Sequence, residues 1–163
     1  MDSEKGVFPA VATEEDFQKI YTSHLWRHSP ALIEEIRSLL QRTDVSLDVT
    51  DCEVKVFPDE YGEGKVSVWM SFNGRNRLVR KNDPSLYCGA SVRFASYAND
   101  LPLYSPNNYP FETRDVTVNC VIAWFVECWG AAGGEGYTYP VVITGHEGFG
   151  TSDLIPLTTV AGA

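Results

Sequence analysis

Hydrophobic and polar positions alternate with different periods along this chain, and each change of period predicts a different kind of element. Behind Thr13 and the acids Glu14, Glu15 and Asp16, the residues Phe17, Ile20, Tyr21 and Leu25 recur at intervals of three and four. That pattern predicts a helix to about Arg27, capped by Thr13 and with first-turn acids that complement its dipole. Ser29 and Pro30 read as the N-cap and first residue of a second helix, with Leu32, Ile33, Ile36, Leu39 and Leu40 inward and Glu34, Glu35, Arg37, Ser38 and Gln41 outward. A short connection makes the two a helical hairpin. Residues 1–12 read as an irregular lead-in.

From Val45 the period becomes two. Val45, Leu47 and Val49 alternate with polar residues, and residues 53–57 read as a strand. After the turn PDEYGEG, Val66, Val68, Met70 and Phe72 share one face and Ser67, Trp69 and Ser71 the other. Asn73 and Gly74 suit a type I′ hairpin, which needs positive φ at both central positions, with a return strand at 77–81. Leu86, Cys88, Ala90, Val92 and Phe94 mark another strand within 86–97. An antiparallel meander of about four strands is expected, with helices over one face. Residues 98–114 mix Pro102, Pro106 and Pro110 with Leu101, Leu103, Tyr104, Tyr109 and Phe111, as a long loop pinned by its rings would.

The run DVTVNCVIAWFVECWG at 115–130 is the most apolar in the chain. Its Val-rich start would also suit a strand, but its length exceeds that of a buried strand. Val118, Val121, Ile122, Phe125 and Trp129 keep helical spacing, Asp115 is placed as a cap and Gly130 as a stop. A helix apolar on most of its circumference must be covered on several sides, so this one is expected to be the core. It is too short and interrupted to span a bilayer. A turn at AAGGEG, a strand at 137–144, the glycine loop GHEGFG and an irregular tail over about 154–163 complete one α+β domain across 1–163.

Composition narrows the function classes. A chain of 163 residues suits one domain that buries roughly two thirds of its unfolded surface and needs no metal or disulfide staple. Cys52, Cys88, Cys120 and Cys128 are scattered through apolar segments without a CxxC pair, the pattern of reduced, buried thiols. The start MDSEKGVFPA lacks the features of a signal peptide, so a cytoplasmic location is expected. A net charge of −9 and a pI near 4.7 argue against general nucleic-acid binding and suit a basic protein partner.

Four groups could carry chemistry. In GHEGFGT (145–151), glycines could let the backbone approach a ligand and present His146 and Glu147 as an acid/base pair, with Asp153 or an aromatic of the Pro-rich loop as a third member; a plain turn explains the glycines equally well. Neither the phosphate-loop spacing nor the dinucleotide fingerprint is there, so no cofactor is expected. His24 and His28 stand four apart on the first helix and could share a metal, though the HExxH pattern fails and a helix C-terminus suits histidines anyway. Asp59, Glu60 and Glu63, with Asp48, Asp51 and Glu53 near in sequence, could form an acidic patch, with Trp69 as an aromatic anchor; the EF-hand pattern is absent. Arg75, Arg77, Arg80, Lys81 and Arg93 gather much of the basic charge, as edge-strand guards or an anion site.

FPDEYGEGKVSVW (57–69), the AW and ECWG of the core run, and ITGHEGFGT (143–151) resemble segments of small, uncharacterised bacterial proteins classed as a domain of unknown function. That resemblance implies a bacterial cytoplasmic protein and brings no activity or catalytic residue with it. The expected function is a non-enzymatic protein-binding role through the acidic surface, of the kind played by toxin-neutralising immunity proteins, by analogy of size and charge. The alternative is a small enzyme or ligand-binding domain using His146 and Glu147.

Overall fold

A computed structural model describes residues 13–58, 66–75, 85–94, 104, 108–150 and 153–159. It is an α+β structure: α1 (Glu14–Trp26), α2 (Ser29–Leu40), β1 (Val49–Phe57), β2 (Ser67–Gly74), β3 (Ser91–Phe94), α3 (Thr113–Ala131), β4 (Val141–Gly145) and β5 (Ile155–Pro156). Thr13 caps α1 by accepting from the Asp16 N–H. Helix α2 begins differently from its expected start. His28 takes the cap position without a side-chain bond, and Ser29 turns its hydroxyl inward to accept from the Trp124 indole N–H at 2.8 Å. A buried indole needs an acceptor, and that need outweighs a cap.

The strands form one sheet in the order β3-β2-β1-β4-β5. It is mixed rather than the expected antiparallel meander: β1 runs antiparallel to β2 but parallel to β4, with Cys52 opposite Val141 and Val54 opposite Ile143. Parallel neighbours need a long crossover, and α3 supplies it. The 154–163 tail, expected to be irregular, contributes β5, where Ile155 pairs with Ile143.

Several boundaries move inward for local reasons. Leu47 is fully exposed and Val45 makes only an isolated bridge to Leu86, so β1 starts at Val49. Gly74, expected in a hairpin turn, pairs with Val49 inside β2; the proposed return strand at 77–81 lies outside the described residues. Residues 88–89 turn, with Gly89 at φ 101°, which leaves β3 only four residues. Tyr137 closes a turn onto the Gly134 carbonyl, and β4 starts at Val141.

Helix α3 is the interior rod. Asn119, Ala123 and Glu127 make a narrow exposed stripe, whereas Val118, Val121, Ile122, Trp124, Phe125, Cys128 and Trp129 are buried. It lies over β1 and β4 and takes α1 and α2 against its other sides. Its cap is Glu112 rather than Asp115, and it runs through Gly130 to Ala131, with the left-handed Gly133, φ 86°, as the stop beyond its C-cap Ala132. Thr117, buried mid-helix, bonds back to the Thr113 carbonyl at 2.9 Å. Around Phe17 of α1, the rings of Tyr104, Tyr109 and Phe111 pack edge-on at 5.1–5.5 Å, so the Pro-rich segment is held by its aromatics where it is described. All four cysteines are free and buried. Burial pushes the Cys52 thiol up to about 12 and raises Cys120 and Cys128, which makes them poor nucleophiles.

Candidate functional site

The parallel strands β1 and β4 end side by side at Phe57 and Gly145, beside the N-terminus of α3. The glycine loop begins there. A single 3₁₀ turn, His146–Gly148, leaves β4, with Glu147 at φ 53°, Gly148 at 83° and Gly150 at 72°. Two of its glycines answer to packing. A Cβ on Gly145 would meet the Phe149 carbonyl oxygen at 1.8 Å and Val118 at 2.9 Å, and one on Gly150 would meet Asn119 and Val118 at 2.7 and 2.8 Å. The loop is thus pressed onto α3. Asp115, released from capping, accepts from the Gly150 N–H at 2.8 Å, and the Arg114 guanidinium lies 4.9 Å from the Phe149 ring centroid. Arg114 also bonds Glu112, which holds the Glu112 carboxyl below its usual range.

His146 Nε2 lies 3.5 Å from Glu147 Oε1, and the Glu147 side chain is 73% exposed. That separation exceeds an ordinary hydrogen bond, and surface ion pairs of this kind contribute about 0–1 kcal/mol. The stronger restraint on His146 is its ring, which stacks on Phe57 at 4.1 Å between centroids and 33° between planes.

Phe57 opens onto the other face of the sheet. From Asp51 onward the odd-numbered residues of β1 point away from the helices, and their cross-strand partners extend them into rows: Arg93–Trp69–Lys55–Thr144, and next to it Ser91–Ser71–Glu53–Val142. Phe57 is two residues, about 7 Å, further along β1 than Lys55 on the same face. Trp69, Phe57 and His146 therefore form a half-buried aromatic strip, bordered by charge. Arg93 stands 5.8 Å from the Trp69 ring, and Lys55 lies 3.8 Å from Glu53. Trp69 and the His146 loop, separate candidates in the sequence, lie on either side of the end of β1, and His146 stacks on Phe57 there. Phe57 and Lys55 were missed as site residues, although the period-two alternation of β1 already placed them on the outward face.

Other expected sites fare differently. Asp59, Glu60 and Glu63 lie outside the described residues, as do Arg77, Arg80 and Lys81. Asp51 is occupied at the sheet end, accepting from Thr50 at 2.8 Å. Trp69 stands between Lys55 and Arg93 in its cross-strand row. His24 and His28 do not share one helix, because α1 stops at Trp26 and His28 caps α2. His24 Nδ1 instead contacts the Arg27 guanidinium, and burial, with Arg27 and His28 nearby, lowers its pKa. Among the described residues no group of three His, Cys, Asp or Glu side chains could hold a metal ion, and no helix is long and apolar enough to cross a membrane.

No curated protein and no solved structure matches the chain. The model of one family, described as a family of unknown function (DUF6389), matches residues 12–159, nearly the whole chain from α1 through β5, and the chain belongs to that family.

Proposed function

We propose that this protein is a non-enzymatic binding protein of the bacterial cytoplasm, of the toxin-neutralising immunity type, and that it grips a protein partner through the outward face of its sheet. The observation that carries the reading is the strip of Trp69, Phe57 and His146 on the side of the sheet opposite α3, with Lys55, Arg93 and Glu53 at its margin. Aromatic anchors ringed by polar groups are where binding energy concentrates. The net charge of −9 steers a basic partner toward the molecule, and the cations beside Trp69 suit acidic or carbonyl groups at the centre of that partner's surface. Neutralisation is then occlusion: the partner's working surface is covered for as long as the complex lasts.

Co-expression with the products of neighbouring genes tests this, with rescue of growth and co-purification as the readouts. Trp69→Ala is expected to weaken the complex by about 2 kcal/mol or more, roughly thirtyfold, mainly through the dissociation rate. The association rate of the wild type should fall as salt rises. A complex indifferent to both Trp69→Ala and salt would overturn the reading.

A second reading places ligand chemistry at His146 and Glu147. Their position at the carboxyl ends of parallel strands, where sites in α/β sheets gather, and the positive φ of Glu147 favour it. His146→Ala separates the two. Loss of turnover of a small substrate with unchanged protein binding supports the ligand reading, whereas weakened protein binding alone places His146 in the binding strip.

A further inference from the structure

At the end of β1 away from Phe57, on the helix side of the sheet, a recess of about 400 Å³ opens between the segment after α2 and the segment after α3. Its size lies at the lower end of the range for small-molecule sites. Thr43 and Thr138 supply hydroxyls to its lining, and Tyr137 and Tyr139 supply rings with centroids 5.7 Å apart. Arg42, the cation of the lining, is engaged by Asp44 through Nε–H···Oδ1 at 2.9 Å and a second parallel bond. The charge at the mouth is thereby balanced, so an anionic ligand would have to displace a carboxylate that already fits the guanidinium fork.

Two polar atoms, one on a lining residue and one behind it, have no hydrogen-bond partner among the described residues. They are the Tyr137 hydroxyl and the Trp129 indole N–H, both closed from solvent. Tyr137 is 9% exposed and Trp129 1%, and their rings meet edge to face at 6.2 Å. Buried donors are nearly always satisfied. The other indole buried in α3, that of Trp124, obeys the rule through Ser29. Trp129 packs against Gly134, in the same turn that gives Gly133 and Gly136 to the recess. The turn has no side chain packed at Gly133 or Gly136, where a Cβ would stand in open space, and its outer tether is Thr159, which donates its N–H and hydroxyl to the Glu135 carbonyl.

We propose that this recess binds a small, uncharged, hydroxyl-rich ligand of monosaccharide size, whose oxygens reach the Tyr137 hydroxyl and the Trp129 N–H when the 133–136 turn shifts, with the two tyrosine rings as its walls. Burial pushes the Tyr137 phenol up to about 12, so it meets the ligand as a neutral O–H, able to donate and accept. The site is independent of the Trp69 strip and stands or falls without it.

The test is a titration of the ¹⁵N-labelled full chain with D-glucose and N-acetyl-D-glucosamine, set against D-glucuronate and glucose 6-phosphate. A saturable shift of the Trp129 indole resonance is expected for a neutral sugar, while the Trp124 indole stays in place. Tyr137→Phe, which removes one oxygen and keeps the ring, should weaken the neutral sugar roughly fivefold, about the worth of one hydrogen bond. Thr43→Val, at the exposed wall, should weaken it without changing the Trp129 resonance of the free protein. Absence of a saturable shift with either neutral sugar overturns the proposal, as does tighter binding of the charged probes or binding untouched by both substitutions.

Discussion

Gly145→Ala is expected to cost about 3 kcal/mol or more of stability, read as a fall in the urea midpoint with an unchanged slope. The added methyl would stand 1.8 Å from the Phe149 carbonyl oxygen and 2.9 Å from Val118 of α3. The first neighbour is backbone and cannot rotate away. Either the 146–150 loop lifts and its Gly150–Asp115 bond goes with it, or β4 slides from α3. For a domain with a typical stability of about 5–15 kcal/mol, such a loss is a large fraction of the whole. Gly130→Ala is the internal control: it lies exposed within α3 with nothing near its Cβ, and should stabilise by up to about 1 kcal/mol. A Gly145→Ala protein as stable as the wild type would mean that the 146–150 loop does not fold back over Gly145 as closely as described.

Trp124→Ala should cost about 3–5 kcal/mol, because it empties one of the largest fully buried side-chain volumes and leaves the Ser29 hydroxyl without its donor. Trp124→Phe keeps much of the volume and isolates the polar part of the loss. Ser29→Ala removes the hydroxyl that accepts from the buried indole N–H, at about 1–3 kcal/mol. In a double-mutant cycle, Trp124→Phe and Ser29→Ala should couple by at least about 0.5 kcal/mol, since each removes half of the same bond. Strict additivity would show that the bond joining α2 to α3 contributes nothing to the fold.

The features legible in the sequence are those set by near neighbours. The Thr13 cap, the inward stripe of α2 and the outward Ser67, Trp69 and Ser71 of β2 each follow from a few consecutive side chains and one period. The apolar run near residue 120 was legible as an interior helix because it offers water only one narrow stripe. Its ends were not. Asp115 has the chemistry of a cap, but Glu112 was available earlier and Asp115 found a donor in Gly150, far along the chain. The glycines of GHEGFGT announced a close approach without saying to what; Gly145 and Gly150 meet α3, and Gly148 carries a positive φ.

By itself, then, the order of residues determined which side chains face inward and where helices and strands alternate, since burial follows from the spacing of apolar groups within a turn or a pleat. Only the tertiary structure decided that β4 enters parallel to β1, that two residues near the end of the chain extend the sheet, and that His146 comes to rest on Phe57, across β1 from the strand of Trp69. Strand pairing depends on where the crossover helix lands, and the length of α3 and its packing on α1 and α2 set that landing point. No window of neighbouring residues contains that distance.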